Sequence, residues 1–152
     1  MNQQLHDTLL QVLSKELIPA LGCTEPIAIA YSASIISHAL GSYPSSLRVG
    51  LSGNIIKNVK SVIVPNTGGL HGLEAAAAAG IIAGDPEKKL LVISQVTQEQ
   101  KALIRDFLQQ AEFTVEEAAS GELFDIQITL TGEGHTAQSR ICGSHTNVVQ
   151  IN

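Results

Sequence analysis

The chain has 152 residues, the size of one domain on the usual scale of roughly 100–200. With 9 Lys and Arg against 14 Asp and Glu, a formal charge of −5 and no tryptophan, it lacks the basic surface and the stacking platforms of a nucleic-acid binder. A hydrophobic share of 44% with a charged share of 15% excludes a disordered tail, and two cysteines are too few for a disulfide scaffold.

In chain order, Leu5, Leu9, Leu10, Val12, Leu13 and Leu17 recur at helical spacing and predict an amphipathic helix ended by Pro19. Its lack of a basic start or an unbroken apolar run argues against a signal peptide. A second helix is expected from about Pro26 to Leu40, apolar on nearly all sides and therefore buried. Ser and His interrupt this stretch, which falls short of the roughly 20 apolar residues of a membrane span. The expectation is a soluble, cytoplasmic protein with reduced thiols and neither membrane nor nucleic acid as partner.

Gly41 to Pro44 reads as a turn, and Leu47 to Leu51 as a short strand. Asn54 to Lys60 fits a short helix, Val62 to Val64 is a brief β-branched run stopped by Pro65, and Pro65-Asn66-Thr67-Gly68-Gly69 is loop chemistry. Leu73 to Ile82 contains five consecutive alanines, a helix whose small side chains permit close packing on a neighbour. Asp85-Pro86-Glu87 is a helix-start signal. Thr97 with Gln100 forms a capping box for a helix whose apolar face is Leu103, Ile104, Phe107 and Leu108.

Beyond residue 111 the period becomes two. Phe113 and Val115, then Phe124, Ile126, Ile128 and Leu130, then Ile141, then Val149 and Ile151 predict three or four antiparallel strands, joined by the Leu47 strand. Residues 1–152 are thus expected to form a single α+β domain, with helices on one face of a small, mainly antiparallel sheet built largely from the C-terminal third.

Three segments carry the candidate chemistry. Pro19-Ala20-Leu21-Gly22-Cys23-Thr24-Glu25-Pro26 places a thiol before the first turn of a buried helix, where free N–H groups and the helix dipole favour a thiolate. Cys23 would then be a nucleophile, a base or a soft metal ligand, with Glu25 as an acid or base beside it. The plainer alternative is a small buried residue in a tight turn. Ser52-Gly53-Asn54-Ile55-Ile56-Lys57-Asn58 together with the 65–69 loop concentrates donors that could clamp a carboxylate, or simply makes a polar connection. Walker spacing is absent. Gly143-Ser144-His145-Thr146-Asn147 offers a base and two hydrogen-bonding groups between two strands. Cys142 reads as a packing thiol, and His6, His38, His71 and His135 show no metal-ligand spacing.

The stretches PALGCTEPIAIA, SGNIIKNVKSVIVPNTGG and GSHTNVVQI, in this order, resemble the N-terminal part of the L-cysteine desulfidase family, also called UPF0597 or serine dehydratase alpha-like proteins. The resemblance implies α,β-elimination of L-cysteine to pyruvate, ammonia and sulfide, with an iron of an iron–sulfur cluster as Lewis acid. It makes Cys23 a cluster ligand or base. It sets Ser52, Asn54, Lys57, Asn58, Thr67, Gly68, His145, Thr146 and Asn147 around an amino-acid substrate. Family members are longer and bring further cysteines in a C-terminal domain. Two thiols hold no cluster alone, since one normally takes three or four thiolates. The chain is accordingly expected to be an N-terminal domain that needs a C-terminal domain or partner chain and is inactive alone. Two other readings are an amino-acid-binding or regulatory module without catalysis, and an interaction domain whose Ala75–Ala79 helix packs on another subunit, giving a homo-oligomer.

Overall fold

A computed structural model describes residues 2–17 and 19–152. The elements are helices α1 (Gln3–Glu16) and α2 (Thr24–Leu40), strand β1 (Ser46–Leu51), helices α3 (Gly53–Val59), α4 (Leu73–Ala83) and α5 (Gln98–Gln110), and strands β2 (Glu112–Glu117), β3 (Asp125–Gly132), β4 (His135–Cys142) and β5 (Val148–Ile151). The strands form one sheet in the order β2-β1-β3-β4-β5. The fold is α+β, as the sequence predicts.

Alternation decides which sheet face is inside. Leu47, Val49 and Leu51 of β1, Ile126, Ile128 and Leu130 of β3, and Ala137 and Ile141 of β4 are buried toward the helices. The opposite face is polar, with Arg48, Thr129 and Gln138 along it. Helix α2 lies on β3 and β4, buried from Pro26 through Ser34 and again at Ile36, and α4 packs on α2. Gly41, at φ 69°, ends α2 in the left-handed conformation that a β-carbon would disfavour. One polar pair crosses this interface: Ser32 Oγ and Ser139 Oγ are 2.7 Å apart and buried.

Five details qualify the sequence reading. β2 runs parallel to β1, because the chain between them returns through the helices, the long crossover that a parallel pair requires. Val62 to Val64 makes only a single bridge, Ile63 to His71, as Pro65 stops the run. Pro86–Leu91 is a 3-10 turn kinked at Lys89, although Asp85 caps it as expected. In α5 the Thr97–Gln100 box forms, but Leu103 is 48% exposed because Ile104 and Phe107 centre the buried stripe. At the last strand a register shift between Arg140 and Ile141 pairs Val148 with Ile141, so Val148 packs on the core while Val149 and Ile151 are half exposed.

The five-alanine helix finds its close neighbour inside the chain. Ala75 to Ala79 are 0–3% exposed, which removes them as a surface for another subunit. The exposed apolar stripe is instead on α1, where no residue is buried.

Candidate functional site

Strand register brings the Ser52 segment and the 143–147 turn to one end of the sheet. Leu51 pairs with Ile126 and Asp125 with Cys142, so the end of β1, the start of β3 and the end of β4 coincide there. Ser52 follows β1 and is buried. Its Oγ donates to the Leu123 carbonyl at 3.0 Å and accepts from the Asp125 N–H at 3.3 Å, tying α3 to the 120–124 loop. Gly143 N–H donates to the Phe124 carbonyl at 3.0 Å, and the Phe124 ring lies 4.5 Å from the His145 ring. His145 in turn faces the N-terminus of α2.

Cys23 is the N-cap of α2 and uses no side-chain cap bond. Its thiol donates to Glu25 Oε2 at 3.2 Å, and Thr24 Oγ1 donates to the same oxygen at 3.5 Å. The thiol is exposed, which corrects the picture of a buried turn cysteine. Its surroundings work against the thiolate expected from the helix dipole. Partial burial, the hydrogen bond to the Glu25 carboxylate and its negative charge outweigh the Glu25 backbone N–H, which favours the thiolate, and raise the Cys23 pKa above its ordinary value. For Glu25, burial pushes upward, but the Cys23 hydrogen bond, its own backbone N–H, the charge of His145 and the Thr24 hydroxyl outweigh it and lower the pKa. At neutral pH the pair is a thiol held by a carboxylate. Glu25→Gln is expected to move the pH midpoint of Cys23 alkylation downward, read by mass mapping of the labelled peptide. An unmoved or higher midpoint would show that Glu25 does not hold the proton.

Beside this pair lies a cleft of about 520 Å³ lined by Lys15, Glu16, Thr24, Leu90, Ser144, His145 and Thr146. His145 Nε2 is buried and has no hydrogen-bond partner among the described residues, a state that costs about 1–3 kcal/mol for an unpaired polar group. The other expected residues are distributed differently. Thr67 is buried, its hydroxyl donating to the Val64 carbonyl at 2.8 Å and accepting from Leu70 N–H at 3.1 Å, so it closes its own loop. Gly68, at φ 77°, lies under Arg105, where a β-carbon would stand 2.8 Å from Nη2. Asn147 Nδ2 donates to the Cys142 carbonyl at 2.8 Å and shapes the 143–147 turn. Asn54, Lys57 and Asn58 are exposed on α3. The 65–69 loop reaches the Cys23 turn through Pro65, whose Cγ would be 3.3 Å from a β-carbon on Gly22.

The sequence reading passed over Lys15, which it placed on a helix of no assigned role, and the Asp125–Arg140 pair. Asp125 is fully buried at the same sheet end and receives Arg140 Nε at 3.0 Å and Nη2 at 2.9 Å. Two charges inside otherwise alternating apolar strands were the available signal. Cys142 is half-buried, its Sγ 3.9 Å from Arg140 Nη2. Among the described residues no three His, Cys, Asp or Glu side chains come together as metal ligands. One exposed thiol fits one corner of an iron–sulfur cluster; the residues here do not make up a complete one.

No family model matches the chain. It is similar to a UPF0597 protein of Desulfitobacterium hafniense, 48% identical over 146 residues, covering 96% of this chain and 34% of that protein. A UPF0597 protein of Treponema denticola is 42% identical over 151 residues, covering 99% and 35%. One of Fusobacterium nucleatum is 41% identical over 145 residues, covering 95% and 34%. The chain spans about a third of the length of the curated relatives it matches. No helix among the described residues is long and apolar enough to cross a membrane.

Proposed function

We propose that this chain is the N-terminal portion of an iron–sulfur-dependent amino-acid lyase of the L-cysteine desulfidase type. The observation that carries the reading is the convergence of Cys23, Glu25 and His145 beside one cleft, from motif segments about 120 residues apart in sequence. The proposed reaction breaks the Cα–H and Cβ–S bonds of L-cysteine. Sulfide leaves, and addition of water to the resulting aminoacrylate gives pyruvate and ammonia. A bound cluster would supply an electron-accepting iron, with Cys23 as one of its ligands and the remaining ligands from the rest of the protein.

The chain's own residues would bind and orient the amino acid. Lys15 offers a cation for the α-carboxylate, with the hydroxyls of Ser144 and Thr146 as further donors. A substrate polar group would satisfy His145 Nε2. Glu25, already accepting a proton in hydrogen bonding from Cys23, would take that proton when the thiol becomes a ligand. Leu90 closes an apolar wall.

The test is anaerobic release of sulfide and pyruvate, with iron content, from the chain alone and from the chain supplied with the remaining two thirds of the Desulfitobacterium relative. The completed protein is expected to carry iron and turn over, the isolated chain to do neither, and Cys23→Ala to bring both to background. Turnover by the isolated chain, or iron and activity unchanged in Cys23→Ala, would overturn the reading.

A further inference from the structure

Helix α1 is amphipathic and 14 residues long, yet none of its residues is buried. Leu5, Leu9, Leu10, Val12 and Leu13 are each 44–52% exposed and Leu17 73%, and none joins the core or the partly buried shell around it. Isolated helices of about 12–15 residues are marginal in water, so an apolar stripe of this width calls for a covering surface. The last turn of α1 also carries Lys15 and Glu16, which line the cleft with His145. Whatever covers the stripe therefore borders the candidate site.

A second copy of this chain is a poor fit as the cover. The helix is about 21 Å long. Two such stripes face to face, each a strip about 10–12 Å wide, would bury roughly 400–500 Å² in total, against at least roughly 1,200 Å² in stable interfaces. The relatives point to a larger occupant, because about two thirds of their length lies outside the part this chain matches. We propose that α1 is the docking arm for that remaining two thirds, laid stripe-down into an apolar groove on it, and that docking brings this part over the Cys23–His145 cleft. The inference deepens the lyase reading and rests on it for the partner's identity. The recognition mode is an amphipathic helix in a groove, with Leu5, Leu9 and Leu13 as successive anchors.

Because α1 contributes nothing to the core, its stripe can be altered without unfolding the domain. Two measurements test the proposal. In the chain alone, α1 amides are expected to exchange with solvent far faster than those of α2; slow exchange would overturn it. In titration calorimetry with the separately produced remaining two thirds of the Desulfitobacterium relative, the wild-type chain is expected to bind. The Leu9→Lys/Leu13→Lys variant should bind at least tenfold more weakly while melting at the wild-type temperature. Absent binding by the wild type, equal binding by the variant, or a lowered melting temperature would each overturn it. So would a wild-type dimer in light scattering that the variant abolishes, which would make a second copy the occupant. Binding is read without iron or turnover. A complex that forms through α1 but is inactive counts against the lyase reading alone, whereas an active complex indifferent to the variant counts against docking alone.

Discussion

Gly80→Val is expected to lower the unfolding free energy by about 3 kcal/mol or more, a large share of the roughly 5–15 kcal/mol that holds a domain of this size. A β-carbon on Gly80 would stand 2.7 Å from the Ala30 carbonyl carbon, 2.8 Å from its Cα and closer still to its oxygen. These are backbone atoms of α2, itself fixed against β3 and β4, so relief requires the two central helices to separate. Separation would open voids along the buried Ala75–Ala79 row, whose small side chains leave no slack. Gly80→Ala isolates the steric effect, since Ala is favoured by about 1 kcal/mol within a helix and a net loss must come from the clash. Gly69→Ala is the control. Nothing lies within 4 Å of its β-carbon, and only its left-handed φ of 94° opposes the change, at about 1–2 kcal/mol. Urea midpoints at unchanged slope check the series. A Gly80→Val protein as stable as wild type would mean that α2 and α4 do not approach this closely.

Arg140→Met is expected to cost about 3 kcal/mol near neutral pH, because it leaves the fully buried Asp125 carboxylate without its bidentate cation. Arg140 is about one-third exposed, which places the effect at the lower end for a broken buried pair. Ser120 and Gln127 still donate to Asp125, so part of the compensation survives. The pH dependence distinguishes lost charge pairing from lost packing. Burial pushes the Asp125 pKa up, but donation from Arg140, Ser120 and Gln127 and the Arg140 charge outweigh it and hold it below the ordinary value. The unfolded chain therefore binds the proton more readily, and the pair's contribution is present above the ordinary carboxylate value of about 3.9 and lost as pH falls through the depressed folded value. The gap between wild type and variant should accordingly narrow in acid. A gap constant down to the acid limb would assign the loss to packing of the Arg140 stem instead. Because Asp125 N–H and Ser52 Oγ are joined, the same variant is expected to loosen the sheet end that supports the His145 turn.

Most of the elements follow from periodicity and punctuation. α2 is apolar all round and so must be covered, the Thr97–Gln100 box starts α5, and the strand alternation from Ile126 to Leu130 selects the inner face. The departures occur where local pattern and tertiary placement compete. Val149 and Ile151 alternate correctly but belong to an edge strand with a register shift. α1 carries an apolar stripe as good as that of α5, yet only α5 is seated on the core.

The candidate site was legible as residue types more than as a constellation. Cys23 with Glu25, and His145 apart from them, were singled out, and the meeting of the two segments depends on how α2 lies across β3 and β4. Thr67 and Asn147 carry the polar chemistry expected of ligand contacts but turn it on their own loops.

Composition, period and the order of elements determined an α+β domain with a buried α2 and its glycine-rich polar loops, because hydrophobic patterning and turn chemistry act over a few residues. Only the tertiary structure decided that β2 runs parallel to β1, that His145 comes to the Cys23–Glu25 turn, that Asp125 lies buried under Arg140, and that α1 is left bare. Each depends on how separate segments are placed in space, which local patterning does not specify.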